Sequence, residues 1–316
     1  MKKVLFIDGL NMFIRSYIVN PTLDRDGNPI GGCIGFLKSL QKVSKKFQPD
    51  EIVIAWDGHE GSQRKKSLNK NYKDGRSPIR FNRRLIELSP QKQAENKANQ
   101  LVRLMEYVNE MPIIQIVIDY VEADDVIAYG ARHPYYRGWD KIIVSSDKDF
   151  YQLCDDHTSV YRPIQDKVVT KQSILEEFRI HPNNFALARA IAGDSSDNLP
   201  GVSGVGLKTI AKRFPYLAGE QEFTCKEIVT DCTVQGKRLK LHENIIKSAD
   251  LVKNNYRIMQ LYNPNLRPLN RDIIDNAIIR FEPEFSRLNF TTMLFADDVS
   301  HLNFEELNII LKKIKR

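Results

Sequence analysis

Acidic residues recur in five short clusters, most of them at the end of an apolar run. The clusters contain nine carboxylates, namely Asp8, Asp57, Glu122, Asp124, Asp125, Asp147, Asp149, Asp194 and Asp197. Carboxylates at the strand ends of an α/β sheet point into one crevice, where such folds bind their ligands. So many acids would repel one another there unless cations lay between them. Because Mg²⁺ and Mn²⁺ prefer hard oxygen ligands, the pattern predicts a divalent-metal site.

Each acid has an ordinary alternative role when it is taken alone. Asp8-Gly9 and Asp57-Gly58 are typical of turns, and acids at 122–125 could cap a helix. Three acids within four residues exceed what one helix N-terminus needs, and the four strand-end clusters together favour the metal site. Two ions about 4 Å apart would clamp the attacking and leaving oxygens of a phosphodiester, with a metal-bound water as the nucleophile.

Positive charge dominates the rest of the chain, whose formal net charge is +7. An acidic site within a basic protein suggests a polyanionic substrate. One basic segment lies between two of the acid-bearing strands and has Asp74 as its only acid; it contains Arg64, Lys65, Lys66, Lys70, Lys73, Arg76, Arg80, Arg83 and Arg84. It can be a solvated loop or a segment that grips phosphates, and its position favours the second interpretation.

A glycine-rich stretch, LPGVSGVGLKTIAKRF, occupies residues 199–214. Glycines allow a backbone to approach a phosphate closely, and the helix that follows presents free N–H groups to it. The stretch offers Gly201, Gly204, Gly206, Lys208, Thr209 and Lys212. Leu207 separates the last glycine from the lysine, so the spacing of a Walker A loop is not met. The pattern therefore favours a grip on a DNA backbone that does not read bases.

Hydrophobic patterning predicts strands alternating with helices in the first half of the chain, which implies a mostly parallel sheet. The predicted strands are 3–7, 52–56, 113–118 and 141–146. The predicted helices between them are 31–47, 94–111 and 123 to about 132. From about residue 171 helices dominate, with predicted segments 172–179, 183–192, 207–213 and 241–260, and a final amphipathic helix in FEELNIILKKIKR.

The motifs IDG, AWDG, NYKDGR, VEADD, SSDKDF and GDSSDNLPGVSGVGLKTIAKRF together resemble the signatures of the 5′-nuclease (flap endonuclease) family. The resemblance is strongest to bacteriophage 5′–3′ exonucleases and to the N-terminal nuclease domain of bacterial DNA polymerase I. It runs in order from about residue 3 to 215, roughly two-thirds of the chain. It implies an α/β fold: a PIN-like, mostly parallel central sheet with a helical arch, followed by a helix–three-turn–helix DNA-binding subdomain. The expected divisions are a core at 1–175 with the basic arch at about 60–95, the DNA-binding subdomain at 176–265, and a C-terminal segment of unassigned role at 266–316.

The resemblance also implies roles for individual residues. One metal group would involve Asp8, Asp57, Glu122, Asp124 and Asp125, and a second would involve Asp147, Asp149, Asp194 and Asp197. Catalytic support would come from Lys73, Tyr72 and Arg76 of the arch motif, from Arg15 facing the phosphate, and from Arg189, which stands where some relatives have lysine. Lys73 would contact the scissile phosphate and neutralise transition-state charge. DNA would be held by Gly201, Gly204, Gly206, Lys208, Thr209 and Lys212, and by Arg64, Lys65, Lys66, Arg80, Arg83 and Arg84 of the basic segment.

Cofactors and partners follow from the same resemblance. Two or more Mg²⁺ ions are expected, with Mn²⁺ as a substitute, and a K⁺ ion bound by backbone carbonyls of the 201–206 loop. The expected partners are branched, nicked or 5′-ended DNA, RNA–DNA hybrids and replication proteins, with the enzyme acting as a monomer.

No apolar stretch reaches the roughly 18 residues that span a membrane. Because Asp8 and Asn11 interrupt the first apolar run, it is expected to be a strand and not a signal peptide, and the location is expected to be cytoplasmic, or host cytoplasm for a phage protein. The four scattered cysteines are expected to be reduced.

The leading hypothesis is a Mg²⁺-dependent, structure-specific 5′ nuclease, both a flap endonuclease and a 5′–3′ exonuclease, that removes primers and flaps in replication. A non-catalytic DNA-binding protein is the alternative from another class, and lost metal ligands would mark it. A haloacid-dehalogenase-like phosphatase would need an Asp-x-Asp pair where this chain has Asp8-Gly9-Leu10. A small PIN-type ribonuclease would lack the glycine-lysine loop at 201–208.

Overall fold

The computed structural model describes residues 1–74, 88–234, 239–299 and 303–314. Four residues of the predicted arch, Arg76, Arg80, Arg83 and Arg84, lie outside these ranges. Within the described ranges one six-stranded sheet forms the centre of the molecule, in the order β3-β2-β1-β4-β5-β6. Its strands are β1 (Lys3–Asp8), β2 (Glu51–Asp57), β3 (Ile114–Ile118), β4 (Asp140–Val144), β5 (Thr158–Arg162) and β6 (Lys167–Val169). All neighbouring pairs are parallel except β5 and β6.

The sheet is buried on both faces, as its parallel strands require. Side chains alternate between the faces, so Val4 and Phe6 of β1 join one hydrophobic cluster while Leu5 and Ile7 join the other. The pairing register places Asp8 beside Ala55, two residues before the end of β2. The last residues of these two central strands therefore reach the same edge of the sheet.

The described parts of the chain contain fourteen α-helices. They are α1 (Gly9–Val19), α2 (Gly31–Phe47), α3 (Gln63–Leu68), α4 (Pro90–Asn109), α5 (Ala123–Ala131), α6 (Lys171–Phe178), α7 (Pro182–Ala192), α8 (Leu207–Arg213), α9 (Cys225–Val234), α10 (Lys240–Lys247), α11 (Ala249–Met259), α12 (Pro268–Ile279), α13 (Arg287–Ala296) and α14 (Glu305–Leu311). Short 3₁₀ turns lie at Pro134–Tyr136, Asp149–Leu153 and Pro215–Ala218. Among these described helices none is long and apolar enough to cross a membrane.

The four predicted strands are confirmed, with small shifts at their ends. The strand predicted at 141–146 ends at Val144, which leaves Ser145 and Ser146 beyond it. The single helix predicted at 241–260 is wrong, because α10 and α11 are separate and meet at Ser248. The N–H of Ser248 donates to the carbonyls of Asn244 and Ile245, so the last turn of α10 tightens before α11 begins. Helices α1, α3, α9, α12 and α13 and the β5–β6 hairpin were not predicted.

The C-terminal segment packs back against the core. Asp275 of α12 accepts a hydrogen bond from the Tyr129 hydroxyl of α5 and lies 3.2 Å from Nε2 of His133. The segment after α13 contributes Asp297, whose carboxylate lies 2.5 Å from Nε of Arg103 and accepts a hydrogen bond from the Tyr107 hydroxyl, both on α4. The four cysteines of the chain, Cys33, Cys154, Cys225 and Cys232, are free thiols in this structure.

Candidate metal and nucleic-acid site

Asp8, at the end of β1, and Asp147, shortly after the neighbouring strand β4, are connected by hydrogen bonds through one serine. Asp8 ends β1 and caps α1, where its Oδ1 accepts a hydrogen bond from the N–H of Asn11. Its Oδ2 accepts a 3.0 Å hydrogen bond from the hydroxyl of Ser145, which in turn accepts 3.1 Å from the N–H of Asp147. Because Ser145 directly follows β4, it fixes the spacing between these two strand ends.

Glu122 and Asp124 meet two lysines. Glu122 stands at the cap position of α5 without capping it. Instead its Oε1 lies 2.5 Å from Nζ of Lys73 and its Oε2 lies 2.5 Å from Nζ of Lys65. The same Lys65 ammonium lies 2.7 Å from Oδ2 of Asp124. Helix capping therefore does not account for Glu122, whose buried carboxylate is held by two cations.

A third arrangement joins Asp149 to Asp194 through Arg189 of α7. The guanidinium lies 3.0 Å from Oδ1 of Asp149 and is also paired with Asp194. Asp194 further accepts hydrogen bonds from the backbone and hydroxyl of Ser196. Arg189 thus links the acid pair after β4 to the GDSSDN segment, whose Asp194 comes 45 residues after Asp149 in the chain.

Asp57 and Asp125 make contacts of a different kind. Asp57 accepts a 2.8 Å hydrogen bond from the N–H of Ala123, the first residue of α5. Asp125 is buried and accepts a 3.0 Å hydrogen bond from the N–H of Asn265. The Asp125 carboxylate therefore anchors the segment that leads into α12, while Asp57 holds the start of α5 at the sheet edge.

Burial, followed by repulsion between neighbouring carboxylates, raises the pKa values of several of these acids. Burial, with Asp57 nearby, raises the pKa of Asp8 to about 7. Burial and Asp124 raise the pKa of Asp125 to about 7, and burial and Asp147 raise that of Asp149 to about 8. For Asp124, burial acts in the same direction but Lys65 and Lys73 outweigh it, so its pKa is lowered. Several of these carboxyl groups therefore keep their protons to a higher pH than a solvent-exposed acid does.

Asp197 completes this electrostatic group. It is buried, and its negative charge contributes to raising the pKa of Asp147, after burial as the main cause. Its backbone carbonyl accepts a 2.9 Å hydrogen bond from the N–H of Lys73. Nearby, the side-chain amide of Asn198 donates to the carbonyl of Asn71. The GDSSDN segment thereby holds the base of the basic segment against the acids.

The donor set suits a hard divalent cation, because every candidate ligand is a carboxylate oxygen in a mutually repelling group. Within the described residues, no three Asp, Glu, His or Cys side chains converge as they stand on one point that could hold an ion. Lys65 and Arg189 lie between the acids in this arrangement, at the positions where bridging cations would otherwise be needed. The residue types therefore fit metal binding, and the lysine and arginine side chains do the neutralising here.

Tyr72 and Lys73 lie next to the acids. Tyr72 is buried, and the ammonium groups of Lys73 and Lys65 lie 5.1 and 5.9 Å from the centre of its ring. Lys73 itself has a left-handed backbone, with φ of 59°. The aromatic ring supports both lysines, and the backbone turn directs Lys73 towards Glu122.

The glycine loop is built on α7 and α11. Gly201 passes so close to the end of α7 that a Cβ atom there would lie 2.0 Å from the carbonyl oxygen of Ala192. Buried Asn255 of α11 donates to the carbonyls of Ala190 and Pro200, which fixes the same crossing. Gly204 has φ of 75°, a conformation that favours glycine. The start of the loop is thus held against α7 and α11.

Basic side chains of α8 face solvent. Lys208 and Lys212 are exposed and Thr209 is half-buried, so this surface is open to a nucleic acid. Arg64 and Lys66 of α3 are also exposed, whereas Lys65 between them lies among the acids. Arg15 is half-buried on α1; burial lowers its pKa, and Tyr161 is the neighbour that opposes this. The DNA-contact and phosphate-facing roles of these residues stay predictions.

Two features of the site escaped sequence reasoning. Ser145 and Asn11 position the acids, since Asn11 binds both Asp8 and the N–H of Ser146. Lys65 is the second feature, because one lysine within a basic run gives no sign that it points inward. The only available signal for the first pair was their position, since Ser145 directly follows β4 and Asn11 lies three residues beyond the end of β1.

Comparison with known proteins identifies the family. The family model described as "5′-3′ exonuclease, N-terminal resolvase-like domain" matches residues 3–179. The thermostable DNA polymerase I of Thermus aquaticus is 32% identical over 212 residues, which is 66% of this chain and 23% of the polymerase. A 5′-3′ exonuclease of Buchnera aphidicola is 31% identical over 210 residues, 66% of this chain and 68% of the relative. The chain thus spans under a quarter of the polymerase and about two-thirds of the free-standing exonuclease.

A relative of similar length extends the match further. Flap endonuclease Xni of Shewanella baltica is 29% identical over 285 residues, 90% of this chain and 98% of the relative. Among solved structures, a variant of the bacteriophage T5 D15 flap endonuclease, in a complex with DNA and metal ions, superimposes with a TM-score of 0.65. It is 17% identical and covers 98% of this chain and 100% of its own, which shows a shared fold. The chain belongs to the 5′-3′ exonuclease family.

Proposed function

We propose that this protein is a divalent-metal-dependent, structure-specific 5′ nuclease that hydrolyses phosphodiester bonds in 5′-ended and flapped DNA. The observation that carries the proposal is the meeting of Glu122 and Asp124 with Lys73 and Lys65 at the carboxyl edge of the sheet. A site that combines clustered carboxylates with cationic side chains suits a phosphodiester, because metal-bound and cationic groups both stabilise its charge. Family membership and the flap endonuclease relatives support the same reaction class.

Metal binding at this edge would use the acids of both predicted groups. Asp8, Asp57, Glu122 and Asp124 would serve one group, and Asp147, Asp149, Asp194 and Asp197 the other. Asp125 was predicted in the first group, and it would act there while its Oδ1 also anchors Asn265. When bound, divalent ions supply charge neutralisation of the phosphodiester and activation of a water.

The chain's own cations would position the substrate. Lys73 would release Glu122 and turn its ammonium to a phosphate oxygen, which keeps a positive charge beside the developing transition-state charge. Arg189 would hold the carboxylates of Asp149 and Asp194 close together, since its guanidinium contacts both. Lys208, Lys212 and Thr209 would contact the backbone of the duplex portion, which sets the register of the substrate without reading its sequence.

Finer parts of the proposal concern the cofactors and partners. Mg²⁺ would be the working ion, with Mn²⁺ as a substitute. A K⁺ ion at the 201–206 loop would share the carbonyl of Ser203, which already accepts a hydrogen bond from Asn244. RNA–DNA hybrids as further substrates, action as a monomer, contacts with replication proteins and a cytoplasmic location belong to the same proposal. The division of the chain into a catalytic core at 1–175 and a DNA-binding subdomain at 176–265 is also part of the proposal.

A cleavage assay tests the proposal. End-labelled flap, nicked and RNA–DNA substrates are incubated with the full chain in Mg²⁺ and, separately, in EDTA. Cleavage near the 5′ end or the flap junction in Mg²⁺, and none in EDTA, is the expected result. Binding of the flap without cleavage in Mg²⁺ or Mn²⁺ would instead identify a non-catalytic DNA-binding protein.

A further inference from the structure

Lys65 occupies a bridging position in the acidic crevice. Its ammonium lies 2.5 Å from Oε2 of Glu122 and 2.7 Å from Oδ2 of Asp124, although Asp124 is 59 residues away in the chain. The Lys65 side chain is 13% exposed and that of Glu122 is 4% exposed. A single positive charge is thus held, largely away from water, between two carboxylates.

The neighbours of Lys65 on α3 behave differently. Arg64 and Lys66 are exposed, so one basic side chain of the three points into the crevice. Burial by itself would lower the pKa of Lys65, but Asp124 and Glu122 outweigh it and raise that pKa well above its usual range. Lys65 is therefore the cation that lies between Glu122 and Asp124 in this arrangement.

A divalent ion would need the same carboxylate oxygens. The second oxygen of Glu122 is held by Lys73, so both oxygens of this carboxylate are bound to lysines. A dication placed among these acids would lie within a few ångströms of the Lys65 ammonium, where like charges repel strongly in a poorly solvated crevice. Both cations cannot keep these positions together.

We infer that Lys65 is an internal counter-ion that a divalent ion displaces from Glu122 and Asp124, and that this competition weakens the metal affinity of the free enzyme. The inference rests on the proposed function, because it requires that these acids bind metal. Its consequence is that Glu122 and Asp124 keep a counter-ion when no metal is bound, and that a divalent ion binds there less tightly. Lys65 is thus a positioning residue that sets metal affinity.

The first test compares Mn²⁺ affinity in the absence of DNA. The full-length protein, Lys65→Gln and Lys66→Gln are titrated with Mn²⁺ by isothermal titration calorimetry. Both variants lose one positive charge from the same helix, but only Lys65 contacts the acids. Removing the competing cation should tighten the Mn²⁺ Kd of Lys65→Gln by about tenfold, while Lys66→Gln stays within about twofold of the parent. An equal or weaker affinity for Lys65→Gln would overturn the inference.

A second measurement uses the unaltered protein and so does not depend on how a variant folds. An amine-reactive label is applied with and without saturating Mn²⁺, and mass spectrometry measures labelling at each lysine. Displacement predicts that labelling of Lys65 rises with Mn²⁺ while that of Lys66 does not change. If the protein binds Mn²⁺ and the labelling of Lys65 stays constant, the inference about Lys65 is overturned while the proposed metal site is not. Absence of Mn²⁺ binding by all three proteins would overturn both the inference and the proposed metal site.

Discussion

The amino group of Lys73 lies 2.5 Å from Oε1 of Glu122, a residue 49 positions later in the chain. The backbone N–H of Lys73 donates a hydrogen bond to the backbone carbonyl of Asp197, which comes later in the sequence than both Lys73 and Glu122. One residue at the base of the basic segment thus connects the acids of α5 with the GDSSDN segment. This connection explains how a lysine outside the sheet is held at the sheet's carboxyl edge.

Lys73→Ala should slow cleavage of a flap substrate by roughly 100-fold or more, because a positive charge beside the phosphate is lost. Folding should change little, since Glu122 keeps its ion pair with Lys65. Single-turnover rates and thermal melts measure the two effects. Lys70→Ala removes an exposed charge from the same segment and serves as the control. Unchanged turnover for Lys73→Ala would count against the role proposed for this lysine.

Lys208→Ala should weaken duplex binding and reduce the slope of log K against log salt by about one unit, since one phosphate contact is lost. Fluorescence anisotropy over a salt series gives the slope. Lys38→Ala, which removes an exposed lysine of α2, should leave the slope unaltered. If Lys208→Ala keeps the parental slope, this lysine does not contact a phosphate.

Gly201→Ala and Gly206→Ala should differ although both lie in one loop. A Cβ at Gly201 would meet the carbonyl of Ala192 at 2.0 Å, whereas a Cβ at Gly206 would meet nothing within 4 Å. Urea unfolding should show a loss of roughly 2 kcal/mol or more for Gly201→Ala, as for other overpacked sites. Gly206→Ala should stay within about 0.5 kcal/mol. Equal stabilities would mean that the loop is not held against α7.

The metal-free protein should lose stability as the pH rises. The carboxyl groups of Asp125 and Asp149 have pKa values of about 7 and about 8 when folded, raised from an ordinary 3.8. Above pH 3.8, and up to about pH 7 for Asp125 and about pH 8 for Asp149, the folded state therefore binds more protons than the unfolded state. This stabilisation disappears as the two acids ionise in the folded protein. In EDTA the Tm should fall by roughly 5 °C between about pH 5.5 and about pH 8.5.

Added Mn²⁺ is the control for this pH dependence. It should restore stability more at the upper pH, because ionised carboxylates bind the ion and protonated ones do not. Asp124 and Asp194 have lowered pKa values, so their contribution to stability is lost in more acidic solution, outside this range. A Tm in EDTA that rises through the same interval would contradict the raised pKa values.

The sequence was sufficient to predict the central strands and the acids at their ends. The run Val4–Ile7 and the buried stretch before Asp57 are apolar without interruption, which is typical of parallel strands covered on both faces. Hairpin β5–β6 lacks such a signal, because β6 has three residues and exposes Lys167. The break at Ser248 was also missed, since apolar spacing continues across it and the break is marked only by local backbone hydrogen bonds.

Side-chain contacts across long sequence separations could not be predicted in the same way. Lys65 and Lys66 are adjacent residues of one type, and only the packing of α3 beside the acids distinguishes them. Asp125 resembles Asp124 in the sequence, yet it binds the backbone of Asn265, 140 residues later. The residue types indicated the chemistry of the site, while the pairing of its charges depends on the fold.

The most direct test of the metal-site account is the single-turnover rate of flap cleavage in Mg²⁺ for Asp147→Ala. Asp147 lies among Asp8, Asp149 and Asp197, so its loss should abolish cleavage while DNA binding stays largely intact. Asp156→Ala removes an exposed acid that pairs with Lys171 and should retain the parental rate. Cleavage by Asp147→Ala at the parental rate would contradict the assignment of these carboxylates to a metal-dependent nuclease site.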